Sequence, residues 1–501
     1  MERLALTIGS QLARSPLANA QRCLNLYPEI NSKDSPVPLT FYQRPGLRLV
    51  AQGPAGGPVR GLYRASNGKG YAVIGQLVYA ISPTWGLTQI GQISSTAGTP
   101  VYVTDNGASA LLVDGSQQGW TWPLASNAFS QFSDPTGLFQ GATRVATIDG
   151  FMIWNVLGTN QFGSTLDFSL TIDPTYVAAK ANYPDPIQSL LVNHRQILLV
   201  GQLTSETWYD AGLTAFPFAQ LPGADHEHGT GAPYSLADAD VSTFWLGQNR
   251  QGAGIVMRTR GYKAERVSDH AVEYAIRKIK NAVGISDAIG YCYQQDGHLF
   301  YVLTFPAGDQ TWVFDDSNEL WHQQAWTDSN GLLHRHRGNC FAYINDQNVV
   351  GDWQNGSLYV MDPTVYSDTV YGNAGPITFA RGFPHLSSVL VNLGQPGLDR
   401  PVPWSGQRVQ FTKFQLDLQC GNAGLDAAGH PPLVKLRWSV DRGVTFGQTV
   451  LQAAGPPGAY ETVPTWQALG IGRDVVFEVE YSLAGEAALN GAWIDAKLLA
   501  S

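Results

Sequence analysis

His226-Glu227-His228 sets two imidazoles and a carboxylate within three residues, the donor types that a transition metal takes. On one strand, however, His226 and His228 share a face while Glu227 points away. Gly223, Gly229 and Gly231 flank the triplet and favour a loop, so no metal centre is expected. His334-Arg335-His336 lacks the carboxylate and reads as a solvated connection. Asp238, Asp240 and the pair Asp315-Asp316 could act as general acid and base. At strand ends and turns, aspartates more commonly cap backbone N–H groups. Ser439-Val440-Asp441-Arg442-Gly443-Val444-Thr445-Phe446 places an Asp to bond the backbone and a Gly to take an unusual φ, which is the chemistry of a turn. Gly-x-x-x-x-Gly-Lys loops, Gly-x-Ser-x-Gly elbows and His-Glu-x-x-His helices are absent. The expectation is a chain with no catalytic, cofactor or metal site, and not an enzyme.

One charged feature remains. After Asp269, a candidate N-cap, Val272, Ala275, Ile276 and Ile279 fall at i, i+3, i+4 and i+7, the spacing of a helix with one apolar face. Arg277, Lys278 and Lys280 close its last turn, where positive charge suits the helix dipole. This reads as one short surface helix inserted in a β framework. Its three basic residues are candidates to dock an acidic partner or a phosphate backbone.

The elements around these residues are short. A chain of 501 residues is too long for one ordinary core, so two domains are expected. Charged residues make up 14%, well below the usual share of about 25%, which excludes a coiled coil, a disordered chain or a highly charged nucleic-acid binder. Many Gly (54) and Pro (29), with 11% aromatics, point to an all-β protein of short strands. At a net charge of −9 the chain would let DNA slide past rather than grip it. Cys23, Cys292, Cys340 and Cys420 lie far apart, without a Cys-x-x-Cys pair. They read as buried free thiols of a protein made in a reducing cytoplasm. The apolar stretch near Met1 is too short for a signal peptide, and no run approaches the ~18 apolar residues of a membrane span.

Residues 1–58 are broken by Pro16, Pro28, Pro36, Pro38 and Pro45 and read as an extended arm, or as a strand that closes a later structure. From Val59, hairpin units recur at roughly 40–50 residues, the spacing of propeller blades. Asn106-Gly107, Asp149-Gly150 and Asp296-Gly297 mark tight turns that need positive φ. The fifth unit takes in Val241–Leu246, and the sixth is the clearest: Ile289–Tyr293, Leu299–Leu303, Thr311–Asp315 and Leu320–His322. The expectation is a β-propeller of about seven blade-like units over 59–371. Gly- and Pro-rich loops (Gly382–Pro384 and Gly394–Pro403) then lead to longer strands at Val409–Leu418, Val434–Val440, Val475–Tyr481 and Trp493–Leu498. These read as a C-terminal β-sandwich-like domain over 372–501. Along 411–418 the alternation of apolar and polar residues is imperfect.

Ile187–Gly212, with Ile197-Leu198-Leu199-Val200-Gly201 and Ser205-Glu206-Thr207-Trp208-Tyr209, resembles the packaged-DNA stabilisation proteins, the tail hubs or nozzles of short-tailed phages. So do Gly231–Leu246, Gly254–Arg258 and the helix with Ile276-Arg277-Lys278-Ile279. Arg22-Cys23-Leu24-Asn25-Leu26-Tyr27-Pro28-Glu29, followed by Arg44-Pro45-Gly46-Leu47, is similar to the start of that family, where an Asn-Leu/Met step precedes a later Pro-Gly. The resemblance implies a structural virion protein that forms a hexameric ring below the portal and its adaptor. Such a ring retains packaged DNA and becomes its ejection channel. The implied partners are other copies of the chain, the portal-bound adaptor ring, a tail needle, plug or tailspike, and transiently the genome in the lumen. The implied location is the virion tail, after synthesis in the bacterial host cytoplasm, with no membrane insertion and no cofactor. Two other readings remain open. Ser439–Phe446 also resembles the Asp-box of sialidases, and a sialidase-like glycan-processing propeller predicts a central pocket of clustered arginines and carboxylates. A glycan-binding adhesin predicts exposed aromatic platforms.

Overall fold

A computed structural model describes residues 2–4, 9–386 and 408–499, apart from positions 55, 95, 97, 371 and 427. Gly394–Pro403 lies outside the described residues. Among the described residues, seven antiparallel units, five of them separate sheets and two set within larger ones, form the blades of a β-propeller. Blades 1 to 4 are each one run of four strands, starting at Val59–Arg64, Tyr102–Asp105, Val145–Ile148 and Ile187–Asn193. Blade 5 is built on Ser242–Asn249 and Gly252–Arg260. Val241, expected in a strand, is exposed in the turn after Asp240, whose φ is +49°. Blade 6 runs from Ile289–Gln295 to Leu320–Thr327, and blade 7 starts at Gly338–Ile344. The inner strands pack side by side, and Gly338–Ile344 returns to lie against Val59–Arg64, which closes the ring.

Local chemistry sets the hairpins. Asp149 and Gly150 have φ of +49° and +92°, and Asp296 and Gly297 have +50° and +82°, the left-handed pair that a two-residue hairpin of correct twist requires. The apolar core is circular, with one cluster between each pair of neighbouring blades. The helix, His270–Val283, is capped by Asp269, whose Oδ1 accepts the Val272 N–H at 2.8 Å. Val272, Ile276 and Ile279 are buried at the junction of blades 5 and 6.

Of the two forms expected of the first 58 residues, the structure shows the second: strands that close later sheets and not an extended arm. Gly46–Gln52 pairs antiparallel with Ser357–Asp362 and supplies the fourth strand of blade 7. Upstream, Leu26–Ile30, Leu39–Gln43 and Glu2–Leu4 join Val409–Leu418, Thr465–Gly472 and Leu489–Leu498 in one sheet of a C-terminal sandwich. Its second sheet holds Phe379–Gly382, Val476–Tyr481, Leu433–Ser439 and Val450–Ala453. Cys23–Leu24 bridges this sheet to blade 6, pairing with Ala380-Arg381 on one side and Gln323 on the other. Boundaries at 59 and 372 therefore cut through hydrogen-bonded sheets. The apolar residues that the N-terminal strands need lie hundreds of positions downstream, which no local pattern reveals.

The imperfect alternation at 411–418 also has a cause. A bulge between Phe411 and Lys413 shifts the register by one. Phe411 and Phe414 both reach the core and pack on Phe477, with ring centroids 5.9 and 4.9 Å away.

Candidate functional site

The two N-terminal segments that resemble the start of the family, Arg22–Glu29 and Arg44–Leu47, meet at the seam of the molecule. Asn25 sits at φ +57°, where Asn is tolerated because its short side chain bonds locally. Its Nδ2 donates to the carbonyls of Ala325 (3.0 Å) and Thr378 (2.8 Å). Its Oδ1 accepts the Ala325 N–H (2.8 Å) and Arg44 Nε (2.9 Å). Arg44, fully buried, then forks onto Asp368, with Nη1–Oδ1 at 3.0 Å and Nη2–Oδ2 at 2.5 Å. Blade 6, blade 7 and the sandwich are thus pinned by one network whose members satisfy each other, the condition under which a buried ion pair is tolerated. Gly46 belongs to the same device. A Cβ there would lie 2.3 Å from the Val365 carbonyl and 2.5 Å from that of Ser367, so only glycine lets the closing strand approach.

Further buried pairs lie at the ends of blades. Arg60 donates to Asp114 at 3.1 Å and to the Thr99 carbonyl at 2.8 Å. Lys180 meets Asp185 at 2.5 Å. Arg337 forks onto Asp352 at 2.8 and 2.6 Å and lies over the rings of Trp326 and Trp353. Asp368, Asp352 and Arg337 were missed in the sequence because their partners are set by the fold.

An axial cavity of about 360 Å³ is lined by inner-strand residues, among them Arg60, Tyr102, Arg144, Asp238, Cys292 and Cys340. Two of its three arginines are engaged by polar partners, and the third, Arg64, is exposed with its guanidinium 5.8 Å over the Tyr343 ring. Arg60 holds Asp114, and Arg144 donates to the Leu236 carbonyl at 2.6 Å with its guanidinium 4.2 Å over the Tyr102 ring. Burial pushes the thiols up, Cys340 to about 12 and Cys292 well above its usual value. Both are held as poorly nucleophilic thiols. Asp238 is the single carboxylate in this lining. A sialidase-like centre calls for more than one carboxylate beside its arginines, and this lining supplies one.

The residues singled out by sequence fall elsewhere. His226 and His228 are half-buried and Glu227 exposed, as their alternation requires; burial holds both imidazoles below their usual pKa. Among the described residues no three His, Cys, Asp or Glu side chains are grouped to hold a metal. His334 and His336 differ from the solvated connection expected of them. His334 Nδ1 lies 2.8 Å from Asp309 Oδ2, and His336 is buried with its pKa pushed well down by burial. Asp315 is buried against His298 Nδ1 at 2.7 Å, Asp316 pairs with Arg258, and Asp240 occupies a turn. In the Ser439–Phe446 turn, Asp441 accepts from Ser439 Oγ (2.6 Å), Thr445 N (2.8 Å) and Thr445 Oγ1 (2.6 Å). These bonds hold its carboxyl at about 2. Arg442 and Gly443 take φ of +66° and +84°, so the motif is a turn in the sandwich, away from the propeller axis. Arg277, Lys278 and Lys280 are exposed on the helix, and Lys278 Nζ lies 4.6 Å over the Tyr274 ring.

Fold and site together define a seven-bladed β-propeller closed by its own N-terminal strand and sewn to a sandwich, with an axial cavity that holds a single carboxylate. The family model for bacteriophage P22 Gp10, described as a phage-stabilisation β-propeller, matches residues 20–366. The chain belongs to that family and is a phage structural protein. Among solved structures, the WD40 β-propeller domain of Doa1 is similar, with a TM-score of 0.36 at 12% identity over 64% of this chain and 97% of that one. No curated protein matches.

Proposed function

We propose that this protein is a tail hub, or nozzle, of a short-tailed phage: a non-enzymatic ring, hexameric as in the resemblance, beneath the portal-bound adaptor. It holds packaged DNA in and forms its exit channel, and a needle, plug or tailspike docks at its far end. The observation that carries this reading is the family match across the propeller. The geometry fits it in two ways. The axial cavity has the volume of a small-molecule pocket, far too little for a duplex, so the DNA channel is the hole between copies and not the bore of one propeller. The seam network makes propeller and sandwich one stiff body, which suits a wall under pressure. Arg277, Lys278 and Lys280 are the proposed docking patch for an acidic partner surface, since none of them forms an ion pair among the described residues.

Co-sedimentation of the purified protein with the portal–adaptor assembly of the same virus, imaged by electron microscopy, tests the reading. A ring of added density on the adaptor is expected. Protein found only on peripheral fibres, or free in the lysate, would overturn it.

A further inference from the structure

A second cavity, of about 350 Å³, lies where the sandwich meets blades 6 and 7. Three phenols, Tyr27, Tyr42 and Tyr366, and three carboxylates, Glu29, Asp296 and Glu486, line it. Its lining contains no Lys, Arg or His. Of the bases around it, Arg48 is held by Asp362 at 2.8 Å, and His298 lies 3.6 Å from Glu29 through Nε2 and 2.7 Å from Asp315 through Nδ1. Burial and then the carboxylates raise the phenols of Tyr42 and Tyr366, with Glu486 acting on both. The cavity is therefore a single negative field walled by aromatic rings. Among the described residues its carboxylates are not grouped to hold a metal ion, so an extended organic cation fits better than a point charge.

An independent feature lines the same cavity. Gln43 is only 9% exposed, and its Oε1 accepts the Ala487 N–H at 2.8 Å, which fixes the orientation of the amide. Its Nε2 is buried without a partner. A buried donor left unpaired is costly and marks a place where an acceptor is missing. Carboxylates and aromatic faces call for a cation, and the amide calls for an acceptor. A basic residue within a peptide offers both, a charged side chain and a backbone carbonyl.

We propose that this cleft receives an arginine side chain from a peptide segment of a partner protein, with a carbonyl of that segment meeting Gln43. The inference does not depend on the ring reading. The test uses the full-length protein and three probes by calorimetry: N-acetyl-glycyl-arginyl-glycinamide, its neutral citrulline analogue, and methylguanidinium. The arginine peptide is expected to bind at least about tenfold more tightly than the citrulline peptide. Asp296→Asn combined with Glu486→Gln should weaken it by about tenfold, since both carboxylates are exposed and their loss leaves the fold intact. An unchanged thermal transition confirms that the double variant is folded. Equal binding of the citrulline peptide, or an unaffected double variant, overturns the proposal. Methylguanidinium binding as tightly as the peptide overturns its peptide part. Failure of the adaptor experiment alone would leave this cleft untouched.

Discussion

Blades 1 to 5 and blades 6 and 7 are built on different principles. Each of the first five is a single run of sequence whose strands meet their neighbours across short turns. Blade 6 passes its outer strand into the sheet that continues through Cys23–Leu24 to the sandwich, and blade 7 waits for Gly46–Gln52 from the far end of the chain. The ion pairs follow suit. Lys180 and Asp185 are five residues apart, whereas Arg44 and Asp368 are separated by 324. A local blade can fold on its own sequence; the composite pair requires nearly the whole chain, and non-local closure of this kind is slow and carries the larger loop-entropy cost.

The sharpest way to break this contrast is to delete residues 1–52. Blade 7 and both sandwich sheets lose strands together, and the loss should exceed a whole domain's stability of about 5–15 kcal/mol. Soluble, cooperatively unfolding protein on circular dichroism would show that closure is dispensable. Asp368→Asn comes next. It leaves Arg44 buried beside a neutral partner, at a cost of about 3–5 kcal/mol in urea unfolding. Asp185→Asn should cost a comparable amount. The two separate by limited proteolysis: only the Asp368 variant should expose the first 52 residues to cleavage, and equal protection in both would erase the distinction between local and composite blades.

Blade 6 supplies two opposed pH effects. His322 is buried, its ring nitrogens unpartnered, and burial lowers its pKa from 6.5 to about 4. The fold favours its neutral form, so its contribution is complete above pH 6.5 and disappears as pH falls toward 4, a loss of about 3 kcal/mol. His322→Phe should remove that acid limb in urea titrations at pH 7, 5 and 4. Burial opposes charging of His298 as well, but the bond to Asp315 and the nearby Glu29 outweigh it and raise its pKa. Its stabilisation is present below pH 6.5 and fades as pH rises through the raised value, so His298→Asn should cost more at pH 5.5 than at pH 8. An equal cost at both would remove the charge pairing from the account. The smallest effect is expected from Arg277→Gln, Lys278→Gln and Lys280→Gln together. Stability should change by less than about 0.5 kcal/mol, while salt-sensitive binding to the adaptor is lost. Adaptor binding at full strength would clear the helix of any docking role.

Much of the propeller was legible in the chain. Asp149-Gly150 and Asp296-Gly297 announced their hairpins because few residues tolerate those φ values, and Val272, Ile276 and Ile279 announced the buried face of the helix. The strands at Val450–Ala453 and Thr465–Gly472 were not seen. The first is short with exposed Val450 and Leu451, and the second is broken by Ala468 at φ +56°, so neither carries a period-two pattern. His336 read as solvated because nothing beside it in sequence reveals that blade 7 closes over it. The seam residues were visible only as types: Asn25 and Arg44 stood in the segments that resemble the start of the family, but their partners at Ala325, Thr378 and Asp368 lie hundreds of residues away.

By itself, then, the sequence determined the all-β class, the hairpin turns, the helix and the blade spacing, since each depends on φ preference and periodicity over a few residues. Only the tertiary structure decided which strand closes the ring, where the arm ends, which arginines are already paired and which cavity is left with carboxylates to spare. Those outcomes depend on burial and on partners brought together across the whole chain, and neither quantity is a property of any local stretch of residues.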